Sequence, residues 1–300
     1  MAPAPDGTAA AASEPFTYLS RDGLQLFGRD YRAAASSRLP VVCLPGLTRT
    51  SRDFDVLARL LSSGPGARRV VSFDLRGRGR SEYDPTGAGY LPATEAQDVL
   101  DGLADRGIAR AAFVGTSRGG IVTMVLAGMA PAVVAAAVLN DIGSLIETAG
   151  LMRIRAHVGV ALPALDWPMA ERALAARLGD EFPAFGPADW ARQARLTFAD
   201  AGGTPVLDYD PKLAEGFHAL TPETPPVDLG AAFATLAAVP VLVVRGACSH
   251  LLSAATVDAM RAAHPRLESV EVPGQGHPPE LTGAVASRIA DFLDGLDSID

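Results

Sequence analysis

Ser117 sits in Gly115-Thr116-Ser117-Arg118-Gly119, a G-x-S-x-G pattern between an apolar run over 112–115 and a helical run over 121–129. A serine hydroxyl is a weak nucleophile unless a base takes its proton and the backbone presents it to a substrate. A sharp strand-to-helix turn does the presenting. Flanking glycines let the chain crowd together, and the side chain stands proud at the carboxyl end of the strand. The helix that starts there contributes its amino-terminal dipole, which favours negative charge on the attacked group. In this context the pattern predicts Ser117 as the nucleophile of an acyl transfer. In an arbitrary loop the same residues would be an accident or a helix cap.

The base lies far downstream. Val272-Pro273-Gly274-Gln275-Gly276-His277 leaves a strand-like run, and its two glycines make a tight loop able to carry an imidazole over a serine. With an unperturbed pKa of about 6.5, histidine takes and returns a proton near neutrality. His157 and His218 fall in a stretch without strands, and His264 in an Ala-Ala-His-Pro helix end expected to be exposed. Acyl transfer also needs two N–H donors aimed at the developing oxyanion, each contributing about 3–4 kcal/mol. The residue after the serine, Arg118, supplies one. Leu47 in Cys43-Leu44-Pro45-Gly46-Leu47-Thr48, at the end of an early strand, is the expected second.

Positioning these groups requires a parallel sheet. Apolar runs over 25–31, 41–44, 70–73, 112–115, 133–139, 241–244 and 269–272 alternate with helical patterns, which reads as strands buried on both faces and covered by helices. Phe54, Leu57, Leu60 and Leu61 share one helical face. Val285, Ile289, Phe292, Leu293 and Leu296 share another. Between 141 and 235 the alternation stops. That stretch holds Trp167, Trp190 and helical patterns over 170–178 and 190–198 without a strong strand run. A helical insertion between two strands is the simplest account.

Composition narrows the function classes. Apolar residues make up 48% of the chain and charged residues 20%, the balance of a folded globular protein. The net charge is −8 and no basic run suggests a nucleic-acid groove or an anionic membrane surface. Of 26 basic residues only Lys212 is a lysine, the mark of a GC-rich bacterial genome. Cys43 and Cys248 make neither a disulfide framework nor a metal site and are expected as buried reduced thiols. Residues 1–14 lack the basic start and apolar core of a signal peptide and read as a disordered tail. The apolar stretch 111–139 is broken by Arg118, two glycines and Pro131, so it is not a membrane span. The expected location is cytoplasmic.

Together these residues resemble the α/β-hydrolase superfamily, in its cofactor-independent branch of capped esterases, enol-lactonases and carbon–carbon hydrolases. Leu44-Pro45-Gly46-Leu47 is similar to that branch's oxyanion loop, with Pro45 where histidine is commoner. Asp74-Leu75-Arg76-Gly77-Arg78-Gly79-Arg80-Ser81 resembles its D-x-R-G-x-G-x-S turn, and Gly276-His277 its terminal histidine motif. The resemblance implies a mostly parallel eight-stranded sheet flanked by helices, with a core over 15–141 and 236–300 and an inserted helical cap over 142–235. It implies no cofactor and no metal.

The third member of the triad is the open position. The family's usual acid site, after the seventh strand, falls at His250, and a neutral imidazole cannot stabilise imidazolium by charge. Loss of the carboxylate can cost about 10⁴ in turnover. Asp141, after the preceding strand, is one alternative, since some members of the superfamily place the acid there. A weakened or repurposed Ser117–His277 dyad, natural or engineered, is a second, and Asp258 a third.

The expected function is hydrolysis of a carboxylic ester or lactone through an acyl-serine intermediate. A carbon–carbon hydrolase of a dienoate or diketone, or a catalytically weakened ligand-binding protein, are the alternatives. The expected partner is a small ester-like molecule, with neither nucleic acid nor membrane, and the oligomeric state stays open. Leu151, Met152, Val158, Leu162, Trp167 and Met169 are candidates for an apolar pocket. Arg49, Arg52, Arg118, Arg153 and Arg155 are candidate carboxylate binders.

Overall fold

The computed structural model describes residues 13–33, 36–64, 66–160 and 165–297. Its central sheet has eight strands: β1 (Ser13–Leu19), β2 (Gln25–Tyr31), β3 (Val41–Leu44), β4 (Val70–Asp74), β5 (Ala111–Thr116), β6 (Val134–Asn140), β7 (Val241–Gly246) and β8 (Leu267–Val272). Their spatial order is β1-β2-β4-β3-β5-β6-β7-β8. β2 pairs antiparallel with β1 and β4, and every other pairing is parallel. This is the mostly parallel eight-stranded sheet that the resemblance implies.

Alternate residues of the inner strands face two separate cores. Val42 and Leu44 of β3, Phe113 of β5 and Val241 and Val243 of β7 join one cluster with α2 (Pro92–Asp105), α3 (Arg118–Met129) and α8 (Ala254–Ala263). Val41, Cys43, Val114, Leu242 and Val244 join the other, against α1 (Asp55–Leu61) and α9 (Gly283–Leu296). Both faces are buried, which is why the runs read as continuously apolar. Each fully buried Val, Leu or Phe contributes about 1.5–3 kcal/mol of transfer free energy.

Three expectations need correction here. Ser13 and Glu14, assigned to a tail over 1–14, begin β1; the rest of that stretch lies outside the described residues. Phe16 and Tyr18 anchor β1 by packing edge-on against Phe73. His264 is not exposed but buried, with Nε2 3.0 Å from the Leu236 carbonyl oxygen. Cys43 is buried as expected, and burial pushes its thiol pKa up; Cys248 is only half-buried.

The segment between β6 and β7 carries α4 (Thr148–Arg155), α5 (Trp167–Leu178), α6 (Pro187–Thr197) and the short α7 (Gly230–Ala234). It is not wholly helical. Phe198–Ala201 and Thr204–Leu207 form an antiparallel hairpin, so the helix read over 190–198 ends at Thr197. Trp167, Leu174, Phe182 and Trp190 give the segment a small core of its own.

No helix among the described residues is long and apolar enough to cross a membrane.

Candidate active site

Register brings the chemistry together. In the parallel ladder Leu44 lies opposite Gly115, Thr116 opposite Asn140, and Asn140 opposite Val244. The carboxyl ends of β3, β5, β6 and β7 therefore form one rim, and the residues just beyond them share one site.

Ser117 follows β5 with φ 49° and ψ −112°, a conformation sparsely populated by residues with a side chain. The turn is held from several directions. The Ser117 amide donates to Asn140 O at 2.9 Å, and its own carbonyl accepts from Gly120 N at 2.9 Å. Two neighbours must be glycine. A Cβ at Gly119 would lie 2.0 Å from Leu44 O, and one at Gly115 would lie 2.6 Å from the Gly119 backbone. The hydroxyl thus stands at the amino terminus of α3.

His277 reaches over it from the loop after β8. Its Nε2 lies 2.9 Å from Ser117 Oγ, and its Nδ1 lies 2.7 Å from Asp141 Oδ2. An ionised carboxylate can only accept, so Nδ1 carries the proton and Nε2 presents its lone pair to the serine hydroxyl. Asp141 sits directly after β6 at φ 55°, a region that aspartate tolerates better than most residues. It is fully buried, and its oxygens also accept from Gly246 N at 2.8 Å and Ser249 Oγ at 2.5 Å. The buried carboxylate is therefore well supplied with donors.

Of the two candidate carboxylates, Asp141 and Asp258, the structure places Asp141 at the histidine. His250 is exposed, on the rim of a small recess that His277 also borders. Asp258 is exposed and pairs with Arg261 at 2.6 Å. A carboxylate therefore does contact His277, although position 250 carries none.

Arg118 follows Ser117 directly, and Leu47 lines the same cavity as Ser117. Arg118 is the first residue of α3, where a helix leaves its N–H groups without intrahelical acceptors. The Leu47 amide donates to no backbone acceptor among the described residues. Both are tied to one buried network. Arg78 Nε donates to Leu47 O at 2.7 Å, Arg78 Nη1 to Glu95 Oε1 at 2.7 Å, and Arg118 Nε to Glu95 Oε2 at 2.6 Å. The D-x-R-G-x-G-x-S turn is fixed by its own contacts: Asp74 accepts from Ser51 N and Arg80 N, and Arg76 pairs with Asp98.

A cavity of about 410 Å³ opens on Ser117 and His277. Of the candidate pocket residues, Val158 lines it. Leu151 packs into the main core, Trp167 and Met169 belong to the insertion's own core, and Leu162 lies outside the described residues. Met152 is not among the lining residues. Leu174, Phe182, Phe185 and Trp190, none of them among those candidates, form much of the apolar wall instead.

The candidate arginines are mostly committed elsewhere. Arg49 pairs with Asp53 at 2.8 Å, Arg52 with Asp208, Arg118 with Glu95, and Arg153 with Glu181 and Asp180 at 2.7 Å. Arg155 is exposed and does not line the cavity. Sequence reasoning missed Glu181, whose Oε2 accepts from His277 N at 3.0 Å. Ser249 was missed too, and no local pattern marks either. Arg177, which lines the cavity, had a signal: it falls three residues after Leu174 and seven after Ala170, on the buried face of α5. No group of three or more His, Cys, Asp or Glu among the described residues could hold a metal ion.

Comparison with known proteins agrees with this architecture. The model of the alpha/beta hydrolase family matches residues 41–288. A 3-hydroxybutyrate-oligomer hydrolase from Cupriavidus necator is 35% identical over 258 residues, covering 83% of this chain and 86% of that protein. A 2-(acetamidomethylene)succinate hydrolase from Mesorhizobium japonicum is 31% identical, with 83% and 86% covered. Among solved structures, an alpha/beta hydrolase from Novosphingobium aromaticivorans superposes with a TM-score of 0.86 at 41% identity, covering 95% of this chain and 99% of that one. The chain belongs to the alpha/beta hydrolase family.

Proposed function

We propose that this member of the alpha/beta hydrolase family cleaves carboxylic esters or lactones through an acyl-serine intermediate. One observation carries the reading: Ser117 Oγ, His277 and buried Asp141 form a continuous chain of 2.9 and 2.7 Å contacts at a strained strand-to-helix turn. His277 takes the Ser117 proton as the hydroxyl attacks the carbonyl carbon, while Asp141 steadies the imidazolium. The Leu47 and Arg118 amides hold the oxyanion. The alcohol leaves with the proton from His277. Water then repeats the sequence on the acyl-serine, releasing the acid and restoring the hydroxyl.

The segment 142–235 acts as the cap in this reading, since α5 and α6 wall the cavity over Ser117. The named activity of the Cupriavidus necator relative, hydrolysis of hydroxybutyrate oligomers, is ester chemistry of the same kind. A purely ligand-binding role loses its motive, because that rested on His250 standing in for an acid.

The test is intact-mass analysis of protein quenched with acid during turnover of 4-nitrophenyl butyrate. The reading expects a butyryl adduct that is absent in Ser117→Ala. Hydrolysis of the ester by Ser117→Ala at the unaltered rate would overturn it.

A further inference from the structure

The charged groups around the cavity are balanced except at one place. Arg49 faces Asp53, Arg52 faces Asp208, Arg192 faces Glu280 at 2.7 Å, and Asp55 faces Arg59. Arg177, on α5, also lines the cavity, yet among the described residues it has neither an ion pair nor a hydrogen bond. It is half-buried, and loss of water pushes its guanidinium down from its usual range. Its neighbours offer no anion. His157 is held below the usual histidine range, first by burial and then by Arg177 itself, so it stays neutral near pH 7. Tyr209, buried beside it, accepts from Gly159 N at 3.0 Å and keeps its own hydroxyl proton to donate.

A half-buried cation without a counterion is costly, and proteins keep one where a ligand supplies the missing charge. Apolar side chains, Val158, Leu174, Leu178 and Phe182 among them, line the same cavity. A single planar guanidinium suits one carboxylate, which it can bind through two parallel hydrogen bonds. A phosphate, with its greater charge, would call for further cations, and the other arginines are already paired.

We propose that Arg177 binds a free carboxylate on the substrate, so that the preferred ester carries an acidic end separated from the scissile carbonyl by an apolar spacer. This rests on the ester-hydrolase reading above. Arg177 anchors the far end of the substrate, the apolar wall takes the spacer, and Ser117 meets the carbonyl. It sets specificity and takes no part in proton transfer.

The test compares 4-nitrophenyl hydrogen glutarate with its methyl-capped diester, in wild type, Arg177→Met and Arg177→Lys. The ratio of kcat/KM for the free acid over the capped ester should fall by about 10- to 100-fold in Arg177→Met, the range of a charge-assisted contact, and recover in part in Arg177→Lys. Because both substrates meet the same protein sample, partial misfolding cancels from the ratio. An unchanged ratio in Arg177→Met would overturn the proposal. If wild type cleaves neither ester, the hydrolase reading fails alone. Calorimetric binding of the hemiester to Ser117→Ala and to Ser117→Ala/Arg177→Met then decides the carboxylate site. A tenfold or greater weakening supports it, and equal affinity overturns it.

Discussion

The backbone amide of His277 donates to Glu181 Oε2 at 3.0 Å, and the other oxygen of that carboxylate accepts from Arg153 Nε at 2.7 Å. A residue of the inserted segment thus holds the loop that carries the imidazole. A Cβ at Gly276 would lie 2.4 Å from Glu181 Cβ, so the contact is close as well as polar. Glu181→Ala should lower kcat by about tenfold or more, the worth of one charge-assisted hydrogen bond. Glu181→Gln, which keeps an acceptor, should lose less. Steady-state kinetics on 4-nitrophenyl butyrate decide it, and an unaltered kcat in Glu181→Ala would rule out a positioning role.

Asp141→Asn keeps the size of the side chain and tolerates the positive φ, so it tests charge more than fold. With a carboxylate no longer accepting from Nδ1, turnover should fall by about 10⁴. His250→Asp, at an exposed position while Nδ1 is already engaged by Asp141, should change it little. Turnover measured against pH for both variants is the check. A large gain in His250→Asp would mean that Asp141 is not the acid.

The turn at Ser117 leaves no room for a methyl group at Gly119, where Leu44 O stands 2.0 Å from the position of a Cβ. Backbone cannot swing aside as a side chain can. Gly119→Ala should therefore destabilise the protein by about 1–3 kcal/mol and abolish activity. Gly295→Ala, in α9 with nothing within 4 Å, should instead stabilise it by about 0.5–1 kcal/mol. Urea unfolding of the two variants gives the comparison.

Glu95 is fully buried between the Arg78 and Arg118 guanidinium groups. Removing its carboxylate leaves one wholly buried cation and one partly buried cation uncompensated. Glu95→Ala should cost about 3–5 kcal/mol of stability. Turnover should fall too, because Arg78 orients Leu47 through its carbonyl oxygen. A shift in the urea midpoint equivalent to less than about 1 kcal/mol would show that the network is not tightly coupled.

Much of this site was legible because its parts are local patterns. Ser117 and His277 each sit in a few residues whose glycines reveal a crowded turn. Asp141 is only one of three explanations open to the sequence, since its place at His277 follows from the register of β6 against β7, which a single sequence does not state. Glu181 and Ser249 act across long loops and leave no local trace. β1 was masked by an alanine-rich start, although Phe16 and Tyr18 already alternate in the manner of a half-buried strand. The hairpin in the inserted segment had a signal as well: Gly202 and Gly203 both adopt positive φ, as a two-residue hairpin turn requires.

The account stands or falls on Ser117 as an activated nucleophile. Protein treated with a fluorophosphonate probe near neutral pH should carry a single adduct, located by peptide mass spectrometry on Ser117. Ser117→Ala should stay unlabelled, and Asp141→Asn should label far more slowly. Labelling at another residue, or equal labelling of Ser117→Ala, would contradict the assignment.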